Sequence, residues 1–131
     1  MTNDFARFRE SSWAIAGASD DRGRYGYKIF RVLADAGFRV TPLHPRLTEI
    51  DGVKVYPSIA DAPGEHDVLV FVVNPRIGET LLEPAKAAGI KTAWFQPGAR
   101  SAELREKAVE MGFDVVDDCV LVRIADLAPD A

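Results

Sequence analysis

Three places in the chain carry one signature: Asp35-Ala36-Gly37-Phe38, Ala87-Ala88-Gly89-Ile90 and Glu110-Met111-Gly112-Phe113. In each, helix-forming residues run into a glycine and then a large apolar residue. Glycine accepts the left-handed conformation that ends a helix, and the apolar residue after it packs back onto the last turn. A short strand candidate follows each glycine: Phe38 to Leu43, Ile90 to Phe95 and Phe113 to Val116. Repeated helix-to-strand joints predict a mostly parallel sheet with right-handed crossovers and helices on both faces.

The remaining segments agree. Trp13-Ala14-Ile15-Ala16 and Val68 to Val73 are apolar without alternation, as strands covered on both faces must be. Val53 to Tyr56, stopped by Pro57, is a weaker strand. Tyr25, Ile29, Leu33 and Ala36 follow helical spacing, as do Leu104, Ala108 and Met111, with Ser101 as N-cap. Arg76 to Ala88 reads as a helix containing Pro84, which predicts a kink or break near Glu83. Leu121 to Leu127 reads as a short closing helix or an irregular tail. The expected fold is α/β: a Rossmann-like three-layer sandwich with strand order 3-2-1-4-5-6, counted along the chain.

The chain has 131 residues, 47% apolar and 27% charged. That suits a single domain over residues 1–131, with an N-terminal arm of about residues 1–11. With 16 Lys and Arg against 20 Asp and Glu, the net charge of −4 argues against nucleic acid as a partner. No apolar run approaches the ~20 residues of a membrane span. Met1 to Glu10 has no hydrophobic stretch of a secretory signal. The single cysteine excludes an internal disulfide, so a cytoplasmic location is expected. One Cys and two well-separated His also argue against a zinc site.

In such sheets ligands bind beyond the carboxyl ends of the strands, where the strand order reverses. That rule selects four loops: Gly17 to Lys28, His44-Pro45-Arg46, Asn74-Pro75-Arg76 and Gln96 to Arg100. They gather Arg22, Arg24, Lys28, Arg46, Arg76 and Arg100 in an acidic chain, the composition of an anion site. The first loop is not G-x-G-x-x-G, yet a tight turn with backbone N–H groups at a helix start can still hold a diphosphate. In that turn Gly17 allows close approach, Ser19 offers a hydroxyl and Lys28 lies about one turn on. Arg46 stands where an NAD-binding protein usually carries a carboxylate. It suits an extra ribose phosphate, as in NADP or coenzyme A. Ser19 lacks His and Asp partners for a triad, His44 is a lone loop histidine, and Asp117-Asp118 oppose thiolate formation at Cys119. The inventory favours a binding module over a complete dehydrogenase.

Gly17-Ala18-Ser19, Tyr25-Gly26-Tyr27-Lys28, Pro45-Arg46, Lys54 to Ile59, Trp94-Phe95-Gln96-Pro97-Gly98 and Asp118-Cys119 occur in one order over nearly the whole chain. In this the chain resembles the stand-alone CoA-binding proteins, related to the CoA-binding domain of succinyl-CoA synthetase α subunits. His44 stands where those proteins carry Asn. The resemblance implies coenzyme A or an acyl-CoA in the cleft, with its diphosphate on Gly17, Ala18 and Ser19 and the helix start at Arg24, Tyr25 and Gly26. Lys28, Pro45, Arg46 and Tyr56 would take the nucleotide end. Asn74, Pro75 and Arg76 would form the other wall with Gln96 and Gly98. It implies no catalysis and no metal, because the synthetases keep their phosphorylated histidine in another domain. The rival expectations are an NAD(P)-dependent oxidoreductase, or a subunit of one, and a nucleotide-regulated module with a protein partner.

Overall fold

The computed structural model describes residues 8–125. Its elements run β1 (Ser12–Ala16), α1 (Tyr25–Asp35), β2 (Arg39–Leu43), β3 (Glu49–Ile50), β4 (Val53–Lys54), β5 (Val68–Phe71), α2 (Pro75–Ala87), β6 (Thr92–Phe95), α3 (Ala102–Glu110), β7 (Asp114–Asp117) and α4 (Val120–Ala125). Five strands form one sheet in the order β2-β1-β5-β6-β7. Every pairing in it is parallel.

Successive side chains of a strand point to opposite faces, and here both faces are covered. Ala14, Ala16, Leu69, Phe71, Ala93 and Phe95 pack with Leu82 and Ala85 of α2 and with Leu104 and Ala108 of α3. Trp13, Ile15, Val68, Val70 and Trp94 pack with Ile29, Phe30 and Leu33 of α1 and with Val120 of α4. The result is the expected three-layer, Rossmann-like sandwich.

The three glycine joints explain the register of helix to strand. After α1, Gly37 N–H donates to Ala34 O at 3.1 Å and Phe38 N–H to Leu33 O at 3.0 Å. Gly89 with Ile90, and Gly112 with Phe113, repeat this pair of bonds after α2 and α3. All three glycines have φ between 85° and 96°. The turned-back apolar residues Phe38, Ile90 and Phe113 are buried.

Two expectations change and two are filled in. The strand read at Val53 to Tyr56 is not a sixth member of the sheet. Its first part closes an antiparallel hairpin with β3, and only Tyr56 reaches the sheet, in a single parallel bridge to Leu43. The strand order is therefore 2-1-4-5-6 of the expected 3-2-1-4-5-6. Second, α2 runs unbroken through Pro84. Pro84 and Thr80, whose carbonyl loses its donor, are both exposed, so water can take the freed carbonyl. Third, the part of the N-terminal arm that is described is packed: Phe8 is buried against the edges of Trp13 and Trp94. Fourth, the closing segment is helical from Val120 to Ala125; Leu127 lies outside the described residues.

Candidate functional site

At the carboxyl end of the sheet the strands continue as a ladder of backbone bonds: Val72 N–H to Ala16 O at 2.9 Å, Gln96 N–H to Phe71 O at 3.3 Å and Asp118 N–H to Phe95 O at 3.2 Å. Above this ladder, where the order reverses between β1 and β5, lies a cleft of about 500 Å³. Gly17, Gly23, Arg24, Tyr25 and Gly26 form one wall. Val72, Val73 and Asn74 form the floor and a second wall. Gln96, Pro97, Gly98, Ala99 and Cys119 form the third.

The first wall is made of backbone in close contact. Gly17 has φ +97°, and a Cβ there would lie 2.5 Å from Val72 O. A Cβ at Gly26 would lie 1.9 Å from Gly17 O. The first turn of α1 thus sits directly on the turn that leaves β1, and no side chain larger than hydrogen fits between them. The loop between is self-organised: Ser19 Oγ accepts Asp21 N–H at 3.0 Å, and Asp21 Oδ1 accepts Gly23 N–H at 2.9 Å. The N-cap residue of α1 is Arg24, which makes no side-chain capping bond, and the first turn carries no acidic residue. An uncapped helix start with its dipole aimed into a cleft is a site for an anion.

The other walls are tied within the protein. Asn74 caps α2, its Oδ1 accepting Ile77 N–H at 3.0 Å. Gln96 is 4% exposed; its Oε1 accepts Val120 N–H at 2.7 Å, and its Nε2 donates to Cys119 Sγ at 3.5 Å. That carboxamide locks the end of β6 to the start of α4. Val72, Val73, Pro97 and Ala99 give the cleft an apolar side.

One strand further out, the turn after β2 is held by an imidazole. His44 Nδ1 accepts both Arg46 N–H and Leu47 N–H, each at 3.0 Å. His44 N–H in turn donates to Tyr56 O at 3.0 Å. The hairpin that follows is pinned to α1, since Tyr27 donates its hydroxyl to Asp51 Oδ2 at 2.6 Å. That bond is the first cause raising the Tyr27 phenol above its ordinary pKa.

Of the expected site residues, the fold brings Gly17, Arg24, Tyr25, Gly26, Asn74, Gln96 and Gly98 to the cleft. Ala18 is buried in the core beneath it. Ser19, Lys28, Pro45, Arg46, Tyr56, Pro75 and Arg76 stand outside its lining. The six cations do not act as one group. Arg22 stacks over Tyr27, Lys28 over Tyr25, Arg24 pairs with Asp21 at 3.5 Å and Arg100 with Asp117 at 3.6 Å. Only Arg24 lines the cleft. Arg46 and Arg76 make no side-chain hydrogen bond or ion pair among the described residues. Val72, Val73 and Cys119 were missed. The signal for the valines was present, because the last residues of a strand stand at its ligand-binding end.

The family described as CoA binding domain matches residues 11–125. The α subunit of an ADP-forming acetate–CoA ligase II from Pyrococcus furiosus is 34% identical in an alignment of 106 residues that covers 76% of this chain. The chain spans 23% of that relative's length. A conserved hypothetical protein from Pyrococcus furiosus has a solved structure similar at a TM-score of 0.80 and 39% identity, covering 86% of this chain and 97% of that one. A hypothetical protein from Pyrococcus horikoshii OT3 is similar at 0.87 and 30% identity, covering 97% and 92%. With a family match over nearly all the described residues, the chain belongs to the CoA binding domain family.

Proposed function

We propose that the chain binds coenzyme A or an acyl-CoA in this cleft, as a cytoplasmic module with no chemistry of its own. The observation that carries the reading is the start of α1: uncapped, free of acidic residues, and packed by Gly26 onto Gly17 at the cleft wall. Tyr25 and Gly26 N–H groups would hold the diphosphate, with Arg24 offsetting its charge. The apolar side of Val72, Val73, Pro97 and Ala99 suits the pantetheine arm. Arg46, one strand out with its guanidinium unengaged, suits the ribose phosphate. The ligase relatives are named for a reaction on CoA, which supports CoA as the nucleotide.

Mass spectrometry of ligand released from the purified protein, followed by calorimetric titration with CoA, dephospho-CoA and NADPH, tests the reading. CoA should bind most tightly. A charged hydrogen bond contributes about 1.5–3 kcal/mol, so loss of the 3′-phosphate should weaken binding roughly 10- to 100-fold. Binding of NADPH without CoA would overturn the proposal and favour an oxidoreductase.

A further inference from the structure

We propose that His44 is a positioning residue that holds Arg46 for the phosphate-bearing end of the nucleotide, and does so only as the unprotonated imidazole. The inference rests on the CoA reading above. Two backbone N–H groups, those of Arg46 and Leu47, converge on Nδ1 of His44. A ring nitrogen accepts only through its lone pair, so a proton on Nδ1 would set one donor against two others. The form that closes this turn is the neutral ring with its hydrogen on Nε2.

The turn so closed carries Arg46. Four of the six loop cations are engaged by a carboxylate or an aromatic ring. Arg46 is exposed and unengaged, yet its own backbone N–H is fixed by the imidazole. Pro45 restricts the residue before it, and the His44 backbone is anchored to Tyr56. The chain thus keeps this cation free while holding its mounting still.

The charged groups on the turn and on the hairpin after it are Arg46, Glu49 at the start of β3, Asp51 at the hairpin tip and Lys54 at the end of β4. Lys54 Nζ lies 5.1 Å from the centre of the Tyr56 ring. No carboxylate forms an ion pair with His44 among the described residues. A proton on the ring would therefore gain no such counter-charge, and it would place a second cation beside Arg46. A proton on Nδ1 would thus open the turn.

The test compares wild type with His44→Asn, whose side-chain oxygen can accept the same N–H groups at every pH, and with His44→Ala. The first readout is the backbone amide resonances of Arg46 and Leu47 in ligand-free protein from pH 8 to 5.5. In wild type any change in the His44 ring signals should be matched by both amides; in His44→Asn neither should move. The second readout is the ratio of affinities for CoA and dephospho-CoA. At pH 8 His44→Ala should have lost roughly tenfold of the preference for CoA that wild type shows. His44→Asn should keep that preference down to pH 5.5. The second ionisation of the phosphate, near pH 6, is common to all three proteins and cancels between them. Amides that stay still while the His44 ring signals change, or His44→Ala keeping the wild-type preference for CoA, would overturn the proposal. A preference for CoA that rises in acid only in wild type would also overturn it, because His44 would then touch the phosphate itself. Failure of every variant to bind CoA at pH 8 would instead remove the CoA reading and the role given to Arg46, with the amide titration still deciding what holds the turn.

Discussion

Two helices begin at the cleft, and they begin differently. At the start of α2 the backbone donors are served from within: Asn74 accepts Ile77 N–H and Pro75 brings no donor at all. At the start of α1 no side chain performs that service. Each helix carries a glycine in its first turn or just after it, but the glycines answer to different neighbours. Gly26 lies on the Gly17 carbonyl, which cannot move without the turn. A Cβ at Gly78 would lie 3.1 Å from Leu104 Cδ2 and 3.3 Å from the Phe71 ring, side-chain atoms in both cases. One helix start is a finished joint, and the other is a joint left open to an anion.

The comparison is broken most directly by alanine at each glycine. A Cβ at position 26 must displace backbone, so Gly26→Ala should cost about 3 kcal/mol in urea unfolding and lower CoA affinity more than tenfold. Gly78→Ala meets a side-chain end and gains about 1 kcal/mol of helix propensity, so its stability should stay within about 1 kcal/mol of wild type. Equal losses at the two sites would erase the distinction. Valine at Gly17 is a poor probe of the ligand alone, since its Cβ meets Val72 O before any phosphate.

Caps come next in size. Asn74→Ala removes a working cap and should cost about 1 kcal/mol, read as a lower urea midpoint. Arg24→Ser offers α1 the cap it lacks. It should raise stability by about 0.5 kcal/mol over Arg24→Ala while binding CoA less well than Arg24→Ala, because the new hydroxyl competes for the donors that the phosphate needs. Serine and alanine behaving alike in both assays would show that those donors are not the binding element.

The shallowest effect sets the two histidines against each other. His66 lies away from the cleft, before β5, buried with Nε2 3.1 Å from Thr41 Oγ1. Burial pushes its pKa below the ordinary 6.5, so the folded state binds this proton less readily than the unfolded chain. Its contribution to stability is complete above pH 6.5 and is lost as the pH falls through that value toward the lower folded one. Melting temperature should decline over that range in wild type and less steeply in His66→Gln. An unchanged slope in the variant would assign the acid sensitivity to other groups.

What could be read from the sequence was what is local. The joints at Gly37, Gly89 and Gly112, the cap at Ser101 and the double-faced apolar strands depend on a few adjacent residues. The glycine-bearing first loop was legible for the same reason. Part of what failed depended on distant partners. Six cations near one end of a sheet say nothing of where each side chain is drawn: Asp117 engages Arg100 from another strand, while Asp21, Tyr25 and Tyr27 engage Arg24, Lys28 and Arg22 from within the loop itself. The apparent break at Pro84 failed because sequence alone did not reveal that the orphaned carbonyl faces water. Cys119 could not be placed at the cleft without the start of α4, which Gln96 fixes from a different strand.

The bridge between Leu43 and Tyr56 has a consequence for how this molecule meets its own copies. In a strand, a residue's N–H and C=O point to the same side. Pro42 O accepts Tyr56 N–H at 3.2 Å, so the donor that Pro42 lacks is missing from the outer edge of β2, where β1 does not need it. His44 N–H on that edge is taken by Tyr56 O, and Arg39 charges the strand's beginning. A sheet margin with few open donors and a cation at its entrance is a poor template for a foreign strand. What remains of the expected sixth strand therefore occupies part of the β2 edge and leaves less of it open to a foreign strand.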